Sequence, residues 1–542
     1  MARKLIIAGL ALLLLAACAK REAATSPAHT LRLSQRNEPS SLDPALASLP
    51  DDFFIIRALS EGLVSPNVSG PSTLNPQLST PSPVRPAAAS SWDVSPDGLT
   101  YTFHLRPGAL WSNGEPVTAA DFLDSYRRVL TPATAAPKAS LFFAVRNARA
   151  FATGALTDFS AVGFAAPDPH TLVVTLEHPF PQFLLYAASG PWIPVNPRVV
   201  ARLGSAWTRP ENFVGNGPFT LAEWRPHQRI VVKRNPRYHA ASAVQPDEID
   251  FLAFDDGDTE ERAFRAGQID VTMAVPFSKL DTYAQNHPDE LHQTPLAETR
   301  FLAFNTARPP LDDPRVRRAL SLAIDRRQLT SLILRGGEQP AATVVPPALV
   351  PSASATAPES LRPSQSLIEA RRLLASAGFP FDRDFPRLEL SAWAQSQAPI
   401  LEAIQSMWRE NLGIKVSLVI REAKVHLAAL RDGRYDVGFI TIIPDVADPL
   451  DVLDRFTTGS PDNYPHWSDA GYDAFVTDAS RAADPARQAA LLDEAESELL
   501  GAAPIAPLYF NVKHCLMSPR VHGWREDALW TRDYLGVSVD PP

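Results

Sequence analysis

The chain has 542 residues, 45% of them apolar and 20% charged, a globular balance that excludes disordered, collagenous and polytopic membrane classes. Its formal charge of −9 argues against a general binder of nucleic acid or of anionic membranes. Fifty-two prolines against 25 glycines imply many turns, edges and linkers in a chain long enough for roughly two to four domains.

The first eighteen residues read as an export address. Arg3 and Lys4 precede an apolar run from Leu5 to Ala17. As a helix that run is about 20 Å long, short of the roughly 30 Å of bilayer hydrocarbon. A charged start, a short apolar core and small residues at the cut describe a signal peptide over residues 1–17. Leu15-Ala16-Ala17-Cys18 looks like a bacterial lipobox, so Cys18 is expected to carry lipid and to begin the mature protein. Losing Arg3 and Lys4 takes the charge from −9 to −11, and residues 18–29 become a polar tether. Only Cys515 then remains, which leaves no internal disulfide and no cysteine-rich zinc site. Within the apolar stretch Pro507 to Met517 it reads as a small buried hydrophobe.

Leu31 to Leu33 opens the first strand, and the six prolines from Pro66 to Pro86 mark a surface excursion. Asp97-Gly98 is a turn before the alternating strand Leu99 to Leu105. Thr118 is placed to cap a helix running through Phe122 and Tyr126 to Leu130. His170 to Glu177 and Arg229 to Arg234 alternate again. In the second half, Asp313-Pro314 starts a helix with apolar positions Val316, Leu320, Ile324, Leu332 and Ile333, stopped by Gly336. Pro340 to Pro363 is a second proline-rich excursion. Ser366 to Ala377 is a helix with Gly378 at its end, and Ile400, Ile404, Met407 and Trp408 mark another that ends near Gly413. Strands follow at Ile414 to Ile420 and at Tyr435 to Ile443, the latter broken by Pro444. Helices alternating with strands predict an α/β domain with a largely parallel sheet.

Catalytic signatures are missing. There is no phosphate loop, dinucleotide fingerprint, His-Glu-x-x-His, Cys-x-x-Cys pair or Gly-x-Ser-x-Gly elbow. The acid pairs Asp51-Asp52 and Asp255-Asp256 lie near turns and read as solvated. The expectation is a protein that is not an enzyme and uses neither cofactor nor metal.

Asn37-Glu-Pro-Ser-Ser-Leu-Asp-Pro44 and Glu61-Gly-Leu-Val64 resemble the opening of the oligopeptide- and dipeptide-binding proteins of ABC importers, the extracytoplasmic solute-binding proteins of family 5. Ser91-Trp-Asp-Val-Ser-Pro-Asp-Gly-Leu-Thr-Tyr-Thr-Phe-His-Leu-Arg106, continuing through Trp111-Ser-Asn-Gly-Glu-Pro-Val-Thr-Ala-Ala-Asp-Phe122, is similar to that family's signature. Asn216-Gly-Pro-Phe219, Arg234-Asn-Pro236, Phe304-Asn-Thr306 and Asp313-Pro-Arg-Val-Arg-Arg-Ala-Leu320 follow in family order. The resemblance implies an α/β fold of the periplasmic-binding-protein type, two lobes about a hinge. Lobe one would comprise 30–55, 186–294 and 505–542, an additional strand-rich domain 56–185, and lobe two 295–504. The chain would cross between lobes near Pro295 and Pro504. The implied partners are a peptide ligand and ABC permease subunits, with a lipid anchor holding a monomer in the periplasm and no nucleic acid involved.

Tyr435-Asp-Val-Gly-Phe-Ile-Thr-Ile-Ile-Pro-Asp-Val-Ala-Asp-Pro449 resembles the family segment whose strand pairs with a bound peptide backbone. By that likeness Ile442, Ile443 and Asp445 line the cleft, and Asp445 receives the peptide's α-ammonium. The competing role for Asp445 is helix capping, to which Asp448 is better suited. Asn37, Glu38 and Ser40, together with Gly215, Asn216 and Gly217, are carried over to the lobe-one rim, where a plain tight turn is the alternative for the glycines. Ile442 and Val446 stand where peptide binders have tryptophan and often tyrosine, and Glu298 and Ile443 stand where some members have a disulfide. These departures imply a more aliphatic pocket and leave a metal chelate, haem or oligosaccharide as alternative ligands. A sensor or chaperone working without a transporter is the alternative role.

Overall fold

The computed structural model describes residues 29–36, 38–68, 83–350, 363–381 and 385–541. The signal segment, Cys18, the tether and Asn37 lie outside the described residues.

Lobe one is built on a four-stranded sheet. Its order is Thr30–Gln35, Glu248–Ala253, Arg229–Arg234, Phe219–Arg225, with only the first pair parallel. Leu31, Leu33, Ile249, Phe251 and Val232 form its core with Ile55, Ile56 and Leu59 of the helix Pro50–Leu59. That helix starts at a proline, whose missing N–H costs nothing in the first turn. Asp52 is not the solvated turn carboxylate expected from sequence. It is 1% exposed and accepts from the amides of Ser40, Ser48 and Leu49, which folds the preceding loop onto the helix end.

The strand-rich domain is an antiparallel sheet in the order Ala89–Val94, Thr100–Leu105, Thr171–Thr175, Phe164–Asp168. Tyr101, Phe103 and Leu105 are buried while Thr100, Thr102 and His104 are not, the period of two that the sequence shows. Thr118 and Asp121 form a capping box at the start of helix Ala119–Leu130. Tyr126 from that helix packs edge-on against Phe122 and against the stacked pair Phe142 and Trp192, whose ring centroids are 4.2 Å apart.

Lobe two holds a six-stranded sheet. Its order is Gln339–Pro340, Ile505–Leu516, Leu291–Phe304, Val437–Ile442, Leu388–Ala392, Val416–Ile420. It is not the largely parallel sheet expected: only the two pairings of Leu388–Ala392 are parallel. The reason is the pair of long strands, Leu291–Phe304 and Ile505–Leu516, which run antiparallel between the lobes and need no helical crossover. Their register shifts between Pro295 and Thr299, opposite Val512 and Phe510. Leu516 packs in lobe one with Phe264 and Leu280, whereas Ala506, Leu508 and Tyr509 pack in lobe two. Along this strand the packing passes from lobe two's core at Tyr509 to lobe one's at Leu516.

Two further expectations change. The long helix read from Asp313 to Gly336 breaks after Pro314–Leu322, because Asp325 accepts from the Gln328 amide and starts a new helix that widens to π-type at Leu329–Leu334. Leu332 and Ile333 are consequently exposed. The stretch after Pro340 is no excursion as far as Val350. Val344 and Leu349 enter the core, and Glu496 accepts from the amides of Val344 and Val345 at 2.8 Å each.

Candidate interlobe binding site

A cavity of about 400 Å³ lies where lobe one, the strand-rich domain and lobe two meet. Helix Pro50–Leu59 contributes Phe53, Phe54 and Arg57, and the strand-rich domain contributes Lys138 and Leu141. Phe53 packs over Gly190, where a Cβ would stand 2.0 Å from its ring and force that ring to shift. Trp393, Leu427 and Ile440 supply the apolar wall of lobe two, and Trp530 that of the C-terminal segment.

The strand Val437–Ile442 sets the floor. Its pairing with Leu291–Phe304 runs its full length, from Thr299↔Ile442 to Phe304↔Val437. On its other edge the ladder to Leu388–Ala392 ends at Ser391↔Gly438. Beyond that point the neighbouring chain turns away at Trp393, into the cavity wall. Along the vacated edge the Phe439 carbonyl accepts from His426 Nε2 at 3.0 Å, and the Ile443 carbonyl from Arg455 at 3.1 Å. Thr441 and Ile443 line the cavity. Pro444, which has no N–H, closes the strand.

Asp445 also lines the cavity, but its carboxylate is engaged. Lys138 Nζ donates to both oxygens, at 2.6 and 2.7 Å, and Arg455 Nη2 stands 3.3 Å from Oδ2. Arg455 also reaches Asp451, which accepts from the amides of Asp445 and Val446. Burial pushes the Asp451 carboxyl up from its ordinary value, against the pull of Arg455. Helix capping falls to Asp448, whose Oδ1 accepts from the Leu450 amide at 3.0 Å at the start of Pro449–Leu453. Its Oδ2 has no hydrogen-bond partner among the described residues, and burial pushes its pKa up to about 6.

The other residues carried over from the resemblance are placed elsewhere. Ile442 is 3% exposed, in the core under the cavity. Glu38 accepts from Trp224 Nε1 and the His227 amide, and Ser40 donates to Asp52. Asn216 exchanges two 3.0 Å hydrogen bonds with the backbone of Glu61. A Cβ on Gly215 would lie 2.1 Å from the Leu59 carbonyl oxygen, and one on Gly217 would lie 2.5 Å from the Ser60 nitrogen. Gly215 to Gly217 thus form a tight joint beneath helix Pro50–Leu59, and neither they, Glu38 nor Ser40 line the cavity. Glu298, at the position of the absent disulfide, is 1% exposed and is held by Arg300 at 2.6 Å, Thr441 Oγ1 and Asn511. Cys515 is buried and unpaired, its thiol pushed up to about 11 by burial.

Lys138, Arg57, Arg455 and Trp393 were not singled out from sequence. Lys138 alone had a signal, being the only lysine between Lys20 and Lys233 in an arginine-rich chain. Among the described residues no helix is long and apolar enough to cross a membrane.

Two lobes joined by paired strands, with a cleft between them, define a solute-binding protein. The chain belongs to the bacterial extracellular solute-binding proteins, family 5, whose model matches residues 83–464. It is a binding protein and not an enzyme. The probable deoxycholate-binding periplasmic protein YgiS of Escherichia coli is 33% identical over 505 residues, covering 92% of this chain and 91% of that one. The periplasmic oligopeptide-binding protein OppA of the same organism is 32% identical over 502 residues, covering 91% and 89%. The structure of Haemophilus influenzae OppA in complex with RPPGFSPFR superposes with a TM-score of 0.81 at 28% identity, covering 94% of this chain and 99% of that one.

Proposed function

We propose that the chain is an exported receptor, lipidated at Cys18, that takes a peptide into the interlobe cleft and delivers it to the permease of an ABC importer. The observation that carries this reading is the vacated edge of the Val437–Ile442 strand opening on a cavity of about 400 Å³. An extended peptide adds to such an edge through its backbone, which gives affinity largely indifferent to side chains. The volume falls within the roughly 300–1,000 Å³ of small-ligand sites, enough for a short peptide. Relatives named as peptide-binding proteins support the same ligand class. Periplasmic location follows from the same relatives and from the signal-like N-terminus.

A second reading is an amphipathic organic acid of steroid-like shape. It is favoured by the aromatic and aliphatic walls and by Arg57, which has no carboxylate oxygen within 4 Å among the described residues and donates to the Ala188 carbonyl. The name of one relative points the same way. Native mass spectrometry of the purified protein, followed by denaturation and sequencing of whatever is released, separates the two. Released peptides support the first reading; a released non-peptide acid, or a cleft that takes deoxycholate and no peptide, overturns it.

A further inference from the structure

The Lys138–Asp445 pair joins residues 307 positions apart and crosses from the strand-rich domain to lobe two. Both side chains are about three-quarters buried, 22% and 27% exposed, and both line the cavity. Neither end is loosely held. Lys138 accepts from the Leu141 amide at the start of a short helix whose Leu141 carbonyl takes Trp192 Nε1 and whose Phe142 stacks on the same indole. Asp445 is fixed through Asp451 and Arg455. A second tie between the same two bodies lies nearby, where the side-chain amides of Gln182 and Gln488 bond reciprocally. The lysine ammonium thus occupies both oxygens of Asp445, the one carboxylate lining the cavity among the described residues. With Arg455 Nη2 also 3.3 Å from Oδ2, a ligand ammonium would be a third cation on that carboxylate, crowded against two like charges. The tethered group also has a built-in advantage, since an intramolecular partner competes at an effective concentration of about millimolar or more.

Resting on the peptide reading of the cleft, we propose that Lys138 is its specificity-determining residue, a tethered ammonium that holds Asp445 when the cleft is empty and discriminates against ligands bringing an ammonium of their own. A peptide with a free N-terminus binds only by displacing Lys138 and loosening the tie between domains. A peptide whose N-terminus is blocked leaves the tie in place and pairs with the strand edge alone.

The test is competitive capture of a tetrapeptide pool, half with free and half with acetylated N-termini, by wild type and by Lys138→Met, with the captured ratio read by mass spectrometry. Methionine keeps most of the side-chain volume and removes the charge. The wild type should favour the acetylated half, and Lys138→Met should move the ratio toward free N-termini by about tenfold or more. A ratio unchanged by the substitution overturns the proposal. Capture of neither half by either protein sinks the peptide reading instead.

Discussion

Asp448 sits at the turn that follows the binding strand, and its carboxylate is held at a cost that depends on pH. It caps helix Pro449–Leu453 with one oxygen and buries the other without a hydrogen-bond partner among the described residues. Burial raises its pKa from 3.8 to about 6. The folded protein therefore binds this proton more tightly than the unfolded chain. Stability falls as pH rises from about 4 through about 6, and the loss is complete above that. A shift of about two units at about 1.4 kcal/mol each makes the full penalty about 3 kcal/mol. Asn caps helices about as well as Asp, so Asp448→Asn keeps the bond to Leu450 and removes the charge. Its amide nitrogen stands where the unpartnered oxygen was, so the remaining burial cost barely changes with pH. The variant should be more stable than wild type by up to about 3 kcal/mol at pH 7.5, with the gap closing through pH 6 and gone near pH 4. Urea unfolding of both proteins at four pH values, followed by tryptophan fluorescence, measures the gap; titrating groups distant from Asp448 cancel in the difference, and Asp451, which repels its charge, adds to the same pH-dependent penalty. A gap of constant size across this range would refute the assignment of a buried, charged Asp448.

Three other outcomes are expected. Gly217→Ala should destabilise the protein by about 1–3 kcal/mol, because its methyl would stand 2.5 Å from the Ser60 nitrogen, while ligand affinity of the folded protein stays unchanged. Thermal unfolding and calorimetry separate the two effects, and a loss of affinity alone would make the glycine joint a ligand contact. N-methylation of the central amides of a bound peptide should weaken binding by about tenfold, as expected for removing a backbone hydrogen bond to the vacated edge beyond Gly438. Equal affinity for methylated and unmethylated peptides would argue against strand addition. Cys18→Ser should free the protein from membranes, since stable anchoring takes two or more acyl chains and this cysteine carries them all; membrane fractionation with detection of the lipidated form checks it.

Much of this protein was legible in the sequence because the relevant physics acts over a few residues. The alternation from Leu99 to Leu105, the cap at Thr118 and the proline start at Pro314 each need only neighbours along the chain; the strand forms at Thr100–Leu105, Thr118 stands at the N-cap and the helix starts at Pro314. Asp445, which the motif singles out, lines the cavity. Tertiary structure decided what that carboxylate touches. Lys138 reaches it across 307 positions, and no local pattern encodes a pairing made where two domains meet. The same limit applies to Gly215 to Gly217. Their spacing fits a ligand-binding loop or a packing joint equally well, and only the position of the Leu59 carbonyl selects the joint. The sheet of lobe two is mostly antiparallel for a related reason. Helix and strand periods report which residues are buried, whereas strand direction depends on how often the chain crosses between lobes, and it crosses here through two long paired strands.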